Sequence, residues 1–187
     1  MRRVFASGFV AALLGVLTGA SALWFYRSSA ATLPVTQPVW QEAEWPLPPD
    51  PWGKGKYFRC NSKDCGTEVR LYVRAKIGFC RCDVGVNDDD ELDRIGDIAL
   101  FSDKLAPLAG GQPIAVRWMK GRSRAFSLRD NLLGKITALS VGFNDRCDAI
   151  VATAVTDGRH AASLEPEVLK FLNSDVVIGW ATVTLGL

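Results

Sequence analysis

The residues with the most chemistry to offer are five cysteines, Cys60, Cys65, Cys80, Cys82 and Cys147, four of them crowded together. Thiols spaced C-x4-C and C-x-C can close disulfides, ligate a soft metal such as zinc, or cycle as a redox dithiol. The Cys-x-x-Cys knuckles common to zinc ribbons and thioredoxin-like centres are missing. A disulfide framework is therefore the first expectation, provided the compartment is oxidising. Geometry narrows the pairing. Cys80 and Cys82, two apart on an expected strand, share a face about 6.6 Å apart, too far for an unstrained bond between them. Cys60 and Cys65 enclose a short turn ending at Gly66 and can join each other, leaving Cys147 to pair with Cys82 or Cys80. One cysteine is left over. The alternative is a metal- or thiol-handling protein in which Cys60, Cys65, Cys80 and Cys82 converge on one ion.

Other catalytic constellations are thin. The single histidine, His160, follows Asp157-Gly158-Arg159 and cannot form a multi-histidine metal site within one chain. No G-x-S-x-G elbow accompanies it. Trp52-Gly53-Lys54-Gly55-Lys56 lacks the spacing and the closing serine or threonine of a phosphate loop. Asp88-Asp89-Asp90-Glu91 invites calcium, but counted from Asp83 the sixth position is Asp88 rather than glycine and the twelfth is Arg94. Those acids read as the capped start of a helix. No enzymatic reaction, cofactor, metal or small-molecule substrate is expected.

The elements that position these residues begin with a targeting segment. After Arg2 and Arg3, the run Val4 to Tyr26 carries no charge and ends in Trp24-Phe25-Tyr26, followed by Arg27. As a helix it reaches roughly 34 Å, enough to cross a hydrocarbon core of about 30 Å. The paired arginines keep the N-terminus cytoplasmic and send the rest across, into the periplasm or outside the cell. Ala20-Ser21-Ala22 and Ser29-Ala30-Ala31 offer the rival of a cleaved signal peptide; a retained single-pass anchor is preferred. The organisation expected is residues 1–27 as anchor or signal segment, 28–51 as a proline- and tryptophan-rich arm, and 52–187 as the folded domain. Trp40, Trp45 and Trp52 are too many for a solvated spacer, so the arm should lay its indoles on the domain.

Within the domain, the alternation from Val69 to Ile77 predicts a half-buried strand with Val69, Leu71, Val73, Ala75 and Ile77 inward. A helix is expected over 88–100, with Leu92, Ile95 and Ala99 as its apolar stripe. Pro113 to Leu128 reads as a hairpin turning at Lys120-Gly121, and 135–141 and 149–155 as two strands around Asn144-Asp145-Arg146. A short helix over 165–172 and a closing strand over 176–185 complete it. The sum is an α+β domain with a mainly antiparallel sheet and two short helices, preceded by one N-terminal transmembrane or signal helix.

Composition agrees with a folded domain: 48% apolar, 22% charged, and a net charge of +2 too small to argue for nucleic acid. Charge is unevenly placed, with basic residues dominating 54–81 and acids dominating 83–97. On the expected strand Arg70, Arg74 and Lys76 share the outer face, and Arg117, Arg122 and Arg124 extend it. The functional expectation is a membrane-tethered extracytoplasmic binding or assembly module without catalytic activity. It would engage a protein partner in the envelope through Arg70, Arg74, Lys76, Trp40 and Trp45.

Overall fold

The alternating run at the centre of the domain does form a strand, and the rest of the sheet is built outward from it. The computed structural model describes residues 38–78, 81–130, 134–157 and 161–187. Strand β3, Val69–Lys76, pairs antiparallel with β2, Lys56–Cys60, setting Cys60 opposite Val69. On its other side lies β8, Asp148–Thr156, with Val69 opposite Thr156. Beyond β8 come β7, Gly134–Asp145, then β6, Met119–Asp130. The far side of β6 is shared by β4, Leu105–Pro107, and β5, Gln112–Val116. At the opposite edge β1, Trp40–Ala43, pairs with β2. Every pairing is antiparallel. With a few short helices added, the fold is α+β with a mainly antiparallel sheet.

Side chains of period two send β3 into two cores. Val69, Leu71 and Val73 are fully buried, as expected, and meet Val168 and Leu172 of α3, Glu165–Leu172, and Val177, Ala181 and Leu185 of α4, Asp175–Leu185. The other face is not solvent. Tyr72 joins Trp45, Ile98, Phe126 and Val155 there. Beside that cluster α2, Asp89–Ile95, packs Leu92 and Ile95 against Val151. Gly142 on β7 is what lets α2 come this close: a Cβ there would stand 2.9 Å from Leu92 Cδ1 and 3.1 Å from Val86 Cγ1. The inward set ends early, with Ala75 half-buried and Ile77 54% exposed past the end of the strand.

The arm lies against the domain, and its residues 40–43 complete the sheet edge because β2 offers its free backbone groups there. Several expectations are corrected. The β5–β6 hairpin turns at Arg117-Trp118, with Val116 opposite Met119. Lys120-Gly121, which looked like the turn, lies inside β6, where the backbone of Gly142 and Phe143 leaves no room for a Cβ on Gly121. The β7–β8 turn is Arg146-Cys147, between the paired Asp145 and Asp148. The helix starting at Asp88 ends at Ile95; a 3-10 turn follows at Ile98–Leu100, burying Ile98 while Ala99 is exposed. Residues 175–185 form a helix rather than a strand. Their β-branched residues favour a strand locally, but the buried set Val177, Ala181, Leu185 has helical spacing, and packing against α3 and the sheet decides. The Val4–Tyr26 segment, Cys80 and His160 lie outside the described residues. Among the described residues no single helix is long and apolar enough to cross a membrane.

Candidate functional site

The even-numbered face of β3 carries Arg70, Tyr72, Arg74 and Lys76, and the arm folds back across it. Trp45 stands edge-on to Tyr72, with ring centroids 5.9 Å apart, and the Arg74 guanidinium lies 5.7 Å from the Trp45 ring centroid. Further along, the Asp50 carboxylate accepts from Trp52 N–H at 2.8 Å, fixing a turn that places the Trp52 ring over Lys76 Nζ at 4.6 Å. The acid that completes the site comes from the segment after α2. Asp97 accepts from Arg74 Nε at 2.8 Å, from Arg74 Nη2 at 2.5 Å and from Lys76 Nζ at 2.8 Å. Asp50 takes the remaining arm of Arg74 at 2.5 Å, with the Gly53 carbonyl at 3.3 Å from the same nitrogen.

Two cations are thus inside the protein. Arg74 is 2% exposed and Lys76 3%, so they are not part of an open basic patch; the arm and the Asp97 segment cover the strand face expected to meet solvent. The Arg74 bond holds the Asp50 carboxyl below the usual carboxylate range, against the opposing effect of burial. Burial lowers Lys76 despite its bond to Asp97. Over the cluster opens a recess of about 220 Å³ lined by Asp50, Trp52, Lys76, Arg94, Asp97 and Leu100. Its rim supplies exposed apolar surface from Trp52 and Leu100.

The other expected site residues are dispersed. Arg70 is half-buried on the same strand face. Trp40 stacks on Phe171 of α3 with centroids 4.9 Å apart, on the opposite side of the sheet from Trp45, so the two indoles do not form one surface. Arg122 and Arg124 turn to the acidic helix instead of extending a patch. Arg122 Nε donates to Asp89, and Arg124 Nη1 donates to Asp93 at 2.7 Å. Asp89 also accepts from Gly111 N–H at 3.0 Å, and that backbone bond together with Arg122 depresses its pKa. Asp88 caps α2 by accepting from Glu91 N–H at 2.7 Å. Arg117 pairs with Asp175 at 2.7 Å. The acidic stretch is thus met by Arg74 and Lys76 at Asp97 and by Arg122 and Arg124 at Asp89 and Asp93.

Four cysteines are bonded in two disulfides, Cys60–Cys65 and Cys82–Cys147. The first closes α1, Ser62–Cys65, a single helical turn ended by Gly66 at φ 72°. The second ties a turn at Cys82–Val84, not the strand expected there, to the β7–β8 turn. Asn144 reinforces that tie, accepting from Val86 N–H at 2.9 Å and donating to the Arg146 carbonyl at 2.9 Å. With Cys60, Cys65 and Cys82 so bonded, the four-thiol ligand set is not available. Among the described residues no group of three or more His, Cys, Asp or Glu side chains is placed to hold a metal ion.

Sequence reasoning missed Asp50, Asp97 and Trp52 as parts of one site. The available signal was the arm itself: tryptophans that must bury need a strand face, and the face they cover cannot be solvent. No protein-family model matches the chain, and no curated protein matches it in sequence.

Proposed function

We propose that the chain is a membrane-tethered extracytoplasmic binding or assembly module without catalytic activity, and that it receives a segment of a protein partner in the recess over Arg74 and Lys76. The observation that carries the binding site is the buried ion cluster itself. Two cations and a carboxylate set inside a small domain cost desolvation that apolar packing would avoid, and here they sit beneath an opening. Arg74 and Lys76 are held by Asp50 and Asp97, and Arg94 by Glu91, so the polar floor is fixed in place, and Trp52 and Leu100 add the apolar contacts that anchor interfaces. The uncharged run Val4 to Tyr26 supports the tether, and the two disulfides support an oxidising compartment.

The test is photocrosslinking of the full chain in cells that express it, with a photoreactive residue in place of Leu100. The expected result is one discrete protein adduct, reduced at least tenfold by Trp52→Ala in a chain whose melting temperature is unchanged within a few degrees. An adduct indifferent to Trp52→Ala, or no adduct at all, would overturn the recess as the binding site.

A further inference from the structure

Helix α4 has a second apolar face. Its inward stripe is Val177, Ala181 and Leu185, yet Val176 is 60% exposed, Val183 83% and the following Leu187 42%, with Trp180 half-buried among them. Val176, Trp180 and Val183 recur at spacings of four and three, one side of the helix, and Leu187 follows beyond its cap Gly186. Residues 176–187 carry no charged side chain. A surface helix normally turns polar residues outward, and one with an apolar outer stripe as well as an inward one belongs against a second apolar phase. At its N-terminal end the β5–β6 turn is pinned to it: Arg117 N–H donates to Asn173 Oδ1 at 2.7 Å, and Arg117 Nη2 reaches Asp175. That turn carries Trp118, 58% exposed.

The path of the chain says what lies over this face. The described residues begin at Pro38, which with Trp40 lines a groove against Lys170, Phe171 and Ser174, at the junction of α3 and α4. Between Arg27, the end of the uncharged run, and Pro38 there are only residues 28–37. Fully extended they span at most about 36 Å. A tether of this reach keeps the domain beside the bilayer, and an apolar face carrying tryptophan is the surface best suited to meet it.

We propose that the outer face of α4, with Val176, Trp180 and Val183, and the neighbouring Trp118 rest on the lipid surface, so that the domain is docked flat on its membrane and not merely suspended from it. This rests on the tethered reading proposed above. It also orients the molecule: α3 and α4 cover one face of the sheet and the recess of Trp52 and Leu100 opens on the other, so docking leaves the recess facing away from the bilayer.

The experiment uses the full chain in vesicles of phosphatidylcholine and phosphatidylglycerol at three to one, with a photoreactive residue at position 183 or, separately, at position 100. After irradiation the expected result is a lipid adduct from position 183 at least fivefold above that from position 100. Val183→Glu, at an exposed position that folding does not need, should reduce the lipid adduct formed from position 176 at least threefold. Absence of a lipid adduct at 183 in a chain that stays with the vesicles through alkaline carbonate refutes the docking while leaving the tether intact. An adduct of twice the chain mass also overturns it, because a second copy then covers the face. Release of the chain by carbonate, with no lipid adduct, removes tether and docking together.

Discussion

Replacing Asp97 with asparagine should be the most damaging single isosteric change in the domain. Asp97 accepts three charge-assisted bonds, two from Arg74 and one from Lys76, and its side chain is 10% exposed. Removing its charge leaves Lys76 without its carboxylate and Arg74 with only Asp50, whose side chain is 25% exposed and partly screened by water. Deleting one partner of a buried pair costs about 3–5 kcal/mol, because the survivor remains desolvated. Asp50→Asn should cost about 1 kcal/mol, since Asp97 still holds Arg74 and the lost bond is solvent-screened. The ordering reverses when the charges are removed together. Arg74→Leu, Lys76→Met and Asp97→Leu in one chain leave only Asp50 without its cation, and its side chain is 25% exposed to water, so the triple variant should fall within about 2 kcal/mol of the parent. The assay is urea denaturation of the full chain in mild detergent with disulfides intact, followed by tryptophan fluorescence. In a domain of this size the single variant should also lower the melting temperature by roughly 10 °C. An Asp97→Asn chain within 1 kcal/mol of the parent, or a triple variant less stable than the single, would refute the reasoning.

Three further outcomes follow from the same structure. Cys82→Ser with Cys147→Ser opens a closure of 65 residues and should cost about 4 kcal/mol on the chain-entropy account, against about 2 kcal/mol for Cys60→Ser with Cys65→Ser across a separation of 5; urea midpoints compare the two. Burial, and next the neighbouring Tyr57, pushes the Tyr72 phenol up to about 12 from 10.0, so its contribution is fully present below pH 10 and is lost as pH rises to 12. Stability should fall by about 2 kcal/mol across that window, and Tyr72→Phe should remove the fall relative to the parent, whose lowered Lys76 contributes the opposite slope in both chains. Gly142→Ala forces a methyl against Leu92 and Val86 beneath α2 and should cost about 1–2 kcal/mol, read by thermal melting.

What was legible in the sequence depended on how local its cause was. The inward set Val69, Leu71, Val73 follows from period two alone, and the helix at Glu165–Leu172 follows from the proline in its first turn. The Cys60–Cys65 bond was readable because a short loop permits it, whereas Cys82–Cys147 was one of two open pairings, and the strand used to keep Cys80 and Cys82 apart is a turn at Cys82–Val84. The burial of Arg74 and Lys76 was not readable from β3, because it is imposed by Asp50, 24 residues earlier, and Asp97, 23 residues later. The hairpin turn was misplaced because Arg117, at φ 53°, carries none of the usual turn chemistry, while Gly121 is a glycine for close strand packing. Helix α4 was hidden by its own valines and threonines, whose strand preference is overridden by three inward contacts at helical spacing. Of the expected surface, Arg70, Arg74 and Lys76 share a strand face, but Arg74 and Lys76 are buried beneath the recess, and Trp40 belongs to the other side of the sheet.

Tether and oxidising compartment are read at once by the intact mass of the protein purified from membranes, before and after reduction and alkylation. A tethered chain with two disulfides gives a full-length mass that gains one alkyl group before reduction and five after it. A mass lacking the N-terminal segment, or four or five alkylatable thiols before reduction, would contradict it.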